Sequence, residues 1–534
     1  MSSRALLALA GLGSLGPVGC ASKGVATEGL PVSTATTTSR VYLEYTQALR
    51  AHRPLPIPDF GFAGYRQSEV PVPTVEGPIA RVDDFGAKAD DEVSDLEGIE
   101  RAARHLERGG VILFGPGTYL LDPDVGPDRP LVISGSHIVL RGAGRSKTKL
   151  LARRPLPPAD ELKLGSAPFR IQLGARFAPE PAVLAKLTSG VRKGSKTLTV
   201  DDTSRLSAGE WVRLSASGRP LADRLIAPYR IHASWKLAFA AGFEISELHR
   251  IAEVEGGLVS FETPVHLELK ASDRARLEVY SPVEEVGVED LTLAGAWAGP
   301  FEHHANALGD GGFSALELSG IVDGWVRRVA IENVNRGIRV TGSAQLTLSS
   351  IEFSGAPGHV SVIVKRSTNV RVGPGRDLAR HYHGPAVSDG AAGTVYWRYR
   401  YDESAAFDGH GNGPYATLLD RVEGGLAAGR SGGDLASRPN HLADFVLWNF
   451  RYLGPAREVD FWRKDIRATD RFVLPLVVGL DAPELELVKS KVAVIERGHT
   501  EPPSLFEAQL GERLGRSSDV LSAEIADWQR FQVE

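Results

Sequence analysis

The chain has 534 residues and a formal net charge of −5 at pH 7. A nucleic-acid binder usually carries a basic surplus, so this balance argues against nucleic acid as a partner, and the length allows a large core and more than one domain. The single cysteine, Cys20, excludes an internal disulfide and a cysteine-based metal site. The 58 glycines and 33 prolines follow no collagen-like period and suit a turn-rich β protein.

The N-terminus predicts export. Arg4 precedes an apolar run over residues 5–15 that is too short to span a bilayer, and a stretch of small residues then ends at Cys20. The pattern resembles a bacterial lipoprotein signal, which implies lipidation of Cys20 and an outer-membrane or cell-surface protein that contacts the membrane only through this anchor. The alternative is ordinary cleavage nearby, which would release the protein to the periplasm or the medium.

Residues 80–150 organise the predicted fold. Apolar residues have helical spacing from Leu96 to Leu106, with Ser94 or Asp95 as the cap, and then form short strand-like runs separated by glycine and proline. An amphipathic helix before many short strands is typical of the start of a β-solenoid, because the helix covers an otherwise exposed apolar end.

Further along, an apolar pair recurs at a spacing that predicts one coil of a β-helix. Val329 and Ile331 recur as Ile351 and Phe353, and Val372 is expected to continue the series from Phe353 at a shorter spacing. The residue pattern changes between these regions, which predicts separate segments. They are a signal peptide (1–20), a tether (21–56), a cap with the first coils (57–180), an inserted β-rich subdomain (181–280), a body with a groove (281–515) and a C-terminal tail (516–534).

The stretch Asp84–Asp95 resembles the opening of the pectate-lyase superfamily, the right-handed parallel β-helix proteins that include pectate lyases and polygalacturonases. Phe60–Tyr65 (FGFAGY) resembles a mostly uncharacterised bacterial subgroup of that superfamily. The resemblance implies an all-β fold, a right-handed parallel β-helix with an N-terminal capping helix and an inserted small β-rich domain. It also implies a carbohydrate-active protein with a polysaccharide as substrate.

Ionisable and aromatic residues are densest between Arg376 and Trp448, in loops beside short strands. Loops of successive coils stack on one face, so residues about a coil apart meet in one groove. The same region loosely resembles the histidine phrases of the bacterial subgroup. The candidate catalytic residues are Arg380, His381, Asp408, His410, Asp420 and His441, and the candidate substrate-binding residues are His383, Tyr415, Arg438 and Trp448.

Two reactions fit these residue types. A lyase needs a base for the C5 proton of a uronic acid and a cation for its carboxylate, which Arg380 with His381 or His410 would supply. A glycoside hydrolase needs two carboxyl groups, for which Asp408, Asp420 and Asp389 are candidates. Gly409–Gly411 matches one part of the polygalacturonase signature, but the paired aspartate motifs of that signature are missing. The third alternative is a non-catalytic cell-surface protein that binds glycans.

Metal binding is not predicted. His303 and His304 form an adjacent pair, but no third ligand stands at a telling spacing. Calcium stays open as a cofactor, although no dense acidic cluster is visible, and no other cofactor is predicted.

Overall fold

The computed structural model describes residues 37–175, 181–482 and 485–533. The predicted signal peptide and Cys20 lie outside the described residues, as does the first part of the predicted tether. Among the helices of the described residues, none is both long and apolar enough to cross a membrane.

Parallel strands stacked coil upon coil form the parallel body, the strands between Ile79 and Arg497 outside the inserted segment. Val329 lies opposite Ile351 and Ile331 opposite Phe353, so the coil predicted from this pair is confirmed. Alternate side chains point into one apolar core that runs through the coils.

Two sheets make up most of this body. The larger contains strands Ile79–Arg81, Gly110–Leu113, Gly117–Leu120, Ile138–Arg141, Thr148–Ala152, Gly287–Gly295, Trp325–Glu332, Thr347–Ser354, Arg371–Val372, Gly375–Asp377, Thr394–Trp397, Tyr399–Arg400, Thr417–Asp420, Glu423–Gly424, Phe445–Trp448, Arg451–Tyr452, Leu476–Leu480 and Val494–Arg497. The seven-stranded sheet contains Leu131–Ile133, Phe169–Gly174, Ser314–Ser319, Arg336–Thr341, Val360–Lys365, Ala386–Ser388 and Asp408–Gly409. Short parallel pairs join Thr37–Thr38 to Thr500–Glu501, Val283–Glu284 to Ile321–Val322, and Arg457–Val459 to Leu485–Leu487.

The shorter spacing predicted for Val372 is wrong. Val372 lies opposite Leu348, and Phe353 lies opposite Asp377, so the coil lengthens here instead of shortening. Pro374 has no N–H to donate, so the strand stops at Val372 and a new one begins at Gly375.

The first coil is covered by helix Leu96–His105, which begins after Asp95 as predicted. Its buried residues include Leu96, Ile99 and Ala102, which join the core of the body. The Asp95 carboxylate accepts hydrogen bonds from the N–H groups of Lys88 and Leu120, at 2.6 and 2.7 Å, so it ties the helix start to two neighbouring segments rather than capping its first turn.

An antiparallel six-stranded sheet forms the inserted segment, and a bridge between Leu187 and Val200 joins its two outer strands. Its core is continuous with apolar residues of the parallel body, among them Val395 and Tyr415. The strands are Val183–Lys186, Thr197–Thr199, Trp211–Ala216, Ile245–Glu255, Leu258–Phe261 and Arg276–Val279, with helices Arg219–Ile226 and Lys236–Ala241.

Helices at both ends of the described chain pack on the body. Helix Arg40–Arg50 buries Tyr45 completely, so this part of the predicted tether is a docked amphipathic helix. Helix Asp519–Phe531 lies within the segment predicted as a C-terminal tail, and its Glu524 pairs with buried Arg371 at 2.5 and 2.7 Å. The remaining α-helices of the described residues are Ala307–Gly311 and Leu505–Leu514, and the Ser504 side chain caps the start of the second.

Candidate active site

The outward positions of the seven-stranded sheet form a mostly polar face. Leu318, Val340, Val364 and Val387 point into the core, so the residues on either side of them point outward. Each coil adds about 4.8 Å, so the last five strands make a face about 19 Å long. We call it the ladder face; its two outward columns are Glu317, Arg339, Ile363, Ala386 and Asp408, and Ser319, Thr341, Lys365, Ser388 and His410.

Asp408 and His410 end these two columns. Asp408 is buried, and its Oδ2 lies 2.8 Å from His410 Nδ1 while its Oδ1 accepts the Gly432 N–H. Burial by itself would raise the pKa of Asp408, but the charges of His383 and His410 and the two hydrogen bonds lower it to about 2. Burial opposes the charge of His410, yet the charge and hydrogen bond of Asp408 raise its pKa. The His410 side chain remains 33% exposed.

His383 links this pair to a second group of histidines. Its Nδ1 lies 3.6 Å from Asp408 Oδ2, and its Nε2 shares a 3.2 Å hydrogen bond with Nε2 of His303. Burial lowers the pKa of His383 to about 4, against the opposing charge of Asp408. His383 is therefore neutral at pH 7 and lies between two polar centres.

The second group contains His303, His304 and His359, which we call the histidine triad. One ring nitrogen from each lies within 4.8 Å of the others. His303 and His304 come from the loop before helix Ala307–Gly311, and His359 immediately precedes strand Val360–Lys365. Burial and the neighbouring imidazoles lower the pKa of His303 to about 3 and lower that of His359 as well.

Two of the predicted histidines lie elsewhere. His381 is buried with Nδ1 3.0 Å from Asp377, and its ring packs against Phe353 in the core. His441 is fully buried, with its ring nitrogens bonded to the Leu442 carbonyl and the Thr417 hydroxyl, each at 2.9 Å. Both rings are enclosed by the body, so neither reaches a substrate in this structure.

Asp420 is also enclosed. It lies in the larger sheet, and its carboxylate accepts hydrogen bonds from the Ser504 hydroxyl and the Phe506 N–H, at 2.5 and 2.9 Å. Burial raises its pKa to about 7 although these bonds oppose the shift. Asp420 thus holds the start of helix Leu505–Leu514 and does not join Asp408 on the ladder face.

The remaining predicted residues divide by exposure. Tyr415 and Trp448 are fully buried and donate to Glu247 and the Pro502 carbonyl, so their rings are closed to a sugar. Arg380 is exposed and pairs with Asp402 at 3.2 Å. Arg438 is buried and donates to the Gly432 carbonyl at 2.5 Å, which supports the loop whose N–H binds Asp408.

Three residues of this region, His359, Tyr382 and Arg430, were not predicted from the sequence. The Tyr382 ring stacks on His303 with centroids 3.9 Å apart, and the Arg430 guanidinium lies 3.8 Å above the Tyr382 ring. The coil period carried a signal for His359, because His383 lies opposite Val360, the residue that follows His359.

A cleft of about 520 Å³ lies between the inserted segment and the parallel body. Arg366, Asp389 and Asn412 line it from the body, and Phe243 and Glu244 line it from the insertion. Asp389 accepts a hydrogen bond from Asn412 at 2.7 Å and pairs with Lys365 at 3.0 Å, so the cleft adjoins the column that ends at His410.

Residues 380–523, which include His383, Asp408 and His410, match a family described as a domain of unknown function (DUF4955). No curated protein matches the chain. Among solved structures, a tailspike protein from Pseudomonas phage LKA1 is 12% identical over 79% of this chain and 74% of that chain, with a TM-score of 0.45.

Two further structures are similarly distant. The family 28 exopolygalacturonase of Yersinia enterocolitica is 12% identical over 79% of this chain and 78% of that chain, with a TM-score of 0.33. The Streptococcus pneumoniae surface adhesin PfbA is 12% identical over 79% and 91%, with a TM-score of 0.34. At this distance none of the three says what this chain binds.

Proposed function

We propose that this protein acts on a polysaccharide and that it is a lyase, which cleaves a uronate-containing polymer by β-elimination with His410 as the base. The observation that carries this is the pairing of a buried carboxylate, Asp408, with the partly exposed imidazole of His410. The assignment of a polysaccharide substrate rests on the resemblance of Asp84–Asp95 to the pectate-lyase superfamily. We take the parallel body as a right-handed β-helix, because nearly all parallel crossover connections are right-handed.

His410 has the geometry of a general base. The ionised Asp408 accepts the Nδ1 hydrogen, which fixes the tautomer of the neutral ring and leaves the Nε2 lone pair free to take a proton. In the reaction the Nε2 lone pair takes the C5 proton of the uronate. The electron pair of the broken C5–H bond then forms the C4–C5 double bond. The C4–O bond to the leaving sugar breaks, and water supplies a proton to the released oxygen.

One cation lies near this base and a second lines the adjoining cleft, and both are candidates to bind the substrate carboxylate. Arg366 is exposed and lines the cleft, and Lys365 stands in the same column as His410. An arginine binds a carboxylate through two charge-assisted hydrogen bonds, and such bonds strengthen as charge builds on the carboxylate in the transition state. We assign Arg366 to this role, in place of Arg380.

A hydrolase is less well supported. Its mechanism needs two carboxyl groups on either side of one glycosidic bond. Asp420 is bound to a helix start, so it does not pair with Asp408. Asp389 is engaged by Lys365 and Asn412, which stabilise its ionised form and lower its pKa against burial.

The test incubates the full chain with pectate, alginate and glycosaminoglycans, and follows unsaturated product by ultraviolet absorbance and reducing ends by colorimetry. Unsaturated product from at least one polymer, lost in H410Q, is the expected result. Reducing ends without unsaturated product would show a hydrolase instead. Binding without turnover would show a glycan-binding protein, and neither binding nor turnover across the panel would overturn the polysaccharide assignment.

A further inference from the structure

We propose that the histidine triad, His303, His304 and His359, binds a divalent transition-metal ion of the Zn²⁺ class. The sequence shows only the adjacent pair His303 and His304, and the fold brings His359 to them from the start of strand Val360–Lys365. Metal binding at this site is independent of the lyase proposal, because it rests on the triad and not on Asp408 or His410.

The triad is held in place before any ion binds. The His303 ring lies between the rings of His304 and Tyr382, with centroids 3.7 and 3.9 Å away, and Arg430 covers the far side of Tyr382. Phe301 stacks on His359 at 5.6 Å. These contacts restrict the ring rotations that would otherwise oppose binding.

The spacing fits a small movement toward coordination. Zn²⁺ lies about 2.0–2.1 Å from each imidazole nitrogen, so nitrogens in a tetrahedral site are about 3.4 Å apart. The three ring nitrogens lie within 4.8 Å of one another, so they need to close by at most about 1.4 Å. His304 is 43% exposed, which gives an ion a path from solvent.

Buried polar atoms beside the triad point to a ligand. Within the described residues, neither ring nitrogen of His359 has a hydrogen-bond partner, and neither does Oδ2 of Asp310. Asp310 is 1% exposed, and this oxygen lies 3.8 Å from His304 Nε2. Leaving such atoms buried without a partner is unfavourable, and a bound cation gives one nitrogen of His359 a partner. A carboxylate next to a ligand histidine is the usual arrangement around a metal.

The donor set selects the metal. Three neutral imidazoles suit zinc, copper, nickel or iron, whereas calcium and magnesium require oxygen ligands. Three protein ligands leave one position open for water or an anion. The triad therefore favours a transition metal over the calcium that the sequence left open.

Asp310 acts as a positioning residue. Its Oδ1 accepts the His304 backbone N–H at 3.0 Å, which fixes the loop that carries the adjacent histidines. Loss of such a supporting carboxylate weakens metal binding by about 10- to 100-fold, and loss of a ligand weakens it further.

The experiment titrates Zn²⁺ into the chelator-treated full chain against a competing indicator dye, and repeats the titration with Co²⁺, whose visible spectrum reports the coordination geometry. We expect one equivalent of Zn²⁺ and a tetrahedral Co²⁺ spectrum, unaffected by millimolar Ca²⁺. H359Q and H304Q should each weaken binding by more than about 10-fold. Because the His304 ring is half-exposed, H304Q is expected to fold, and it tests the site even if H359Q misfolds.

The matched control is H499Q, which removes an exposed histidine that follows the last strand of the larger sheet, Val494–Arg497. It should bind Zn²⁺ as the wild type does. Less than a tenth of an equivalent bound to the wild type, or equal binding by the wild type, H304Q and folded H359Q, would overturn the proposal. Both results are read without substrate, so they are separate from the outcome of the lyase test.

Discussion

Asp408 Oδ2 and His410 Nδ1 lie 2.8 Å apart, at the end of the ladder face. If His410 is the base, H410Q should lower kcat for unsaturated product by about 10²- to 10⁴-fold and leave KM nearly unchanged. H499Q, an exposed histidine-to-glutamine change, should keep the wild-type rate. Equal initial rates for H410Q and the wild type would remove His410 from the mechanism.

The pH profile should report the influence of Asp408 on His410. A base must be neutral, and Asp408 raises the pKa of His410, so kcat/KM should increase with pH with a midpoint above 6.5. The other charged or titratable groups facing His410 are Lys365, Asp389 and His383. D408N removes the largest raising influence, so its midpoint should move to lower pH while its plateau rate falls. A midpoint that D408N leaves in place would contradict the coupling.

Arg366 should matter only for substrates with a carboxylate. Removing a charge-assisted hydrogen bond of about 1.5–3 kcal/mol in R366A should lower kcat/KM on a uronate polymer by about 10- to 100-fold. The control variant R400A changes an arginine that is 63% exposed and lies on the larger sheet. Comparable losses in R366A and R400A would indicate a general charge effect instead of a specific contact.

Periodicity predicted the coils because apolar side chains must recur wherever the chain passes the same core. Val329 and Ile351 therefore stood out in the sequence and lie opposite each other in the structure. Pro374 broke the pattern because its effect depends on backbone hydrogen bonding, which residue spacing does not show. The helix at Arg40–Arg50 was predicted as part of a tether because the surface it packs on comes from distant residues.

The candidate site was harder because residue type does not tell which way a side chain points. His381, His410 and His441 look alike in the sequence, yet only His410 faces outward from the sheet, while the other two are enclosed. A strand phase that is wrong by one residue moves a side chain to the opposite face. His359 was missed for a related reason, since its partners His303 and His304 are brought to it by a loop.

Asp420 should stabilise the fold and not take part in turnover. D420A leaves the Ser504 hydroxyl and the Phe506 N–H without their acceptor, so the free energy of unfolding in urea should fall by about 1–3 kcal/mol. The kcat of the folded variant should match that of the wild type. The more conservative D420N retains one acceptor oxygen and should lose less stability. An inactive D420N with wild-type stability would restore the two-carboxylate hydrolase.

His441 should make the fold sensitive to acid. Burial lowers its folded-state pKa to about 4, whereas the unfolded chain takes up this proton near 6.5. The unfolded state therefore binds more protons below pH 6.5, and the stability due to this group, complete above that pH, is lost as the pH falls toward 4. The loss between pH 7 and pH 5 is about 2 kcal/mol.

Urea unfolding of the wild type and H441Q at pH 7 and pH 5 measures this contribution. H441Q should be less stable than the wild type at pH 7, because it disturbs the bonds to Thr417 and Leu442. Between pH 7 and pH 5, however, its free energy of unfolding should decrease by about 2 kcal/mol less than that of the wild type. H499Q should show the wild-type decrease. Other buried histidines add to the decrease in all three proteins, so the difference between H441Q and H499Q isolates His441. Equal decreases in these two variants would mean that His441 binds its proton equally well in the folded and unfolded chains.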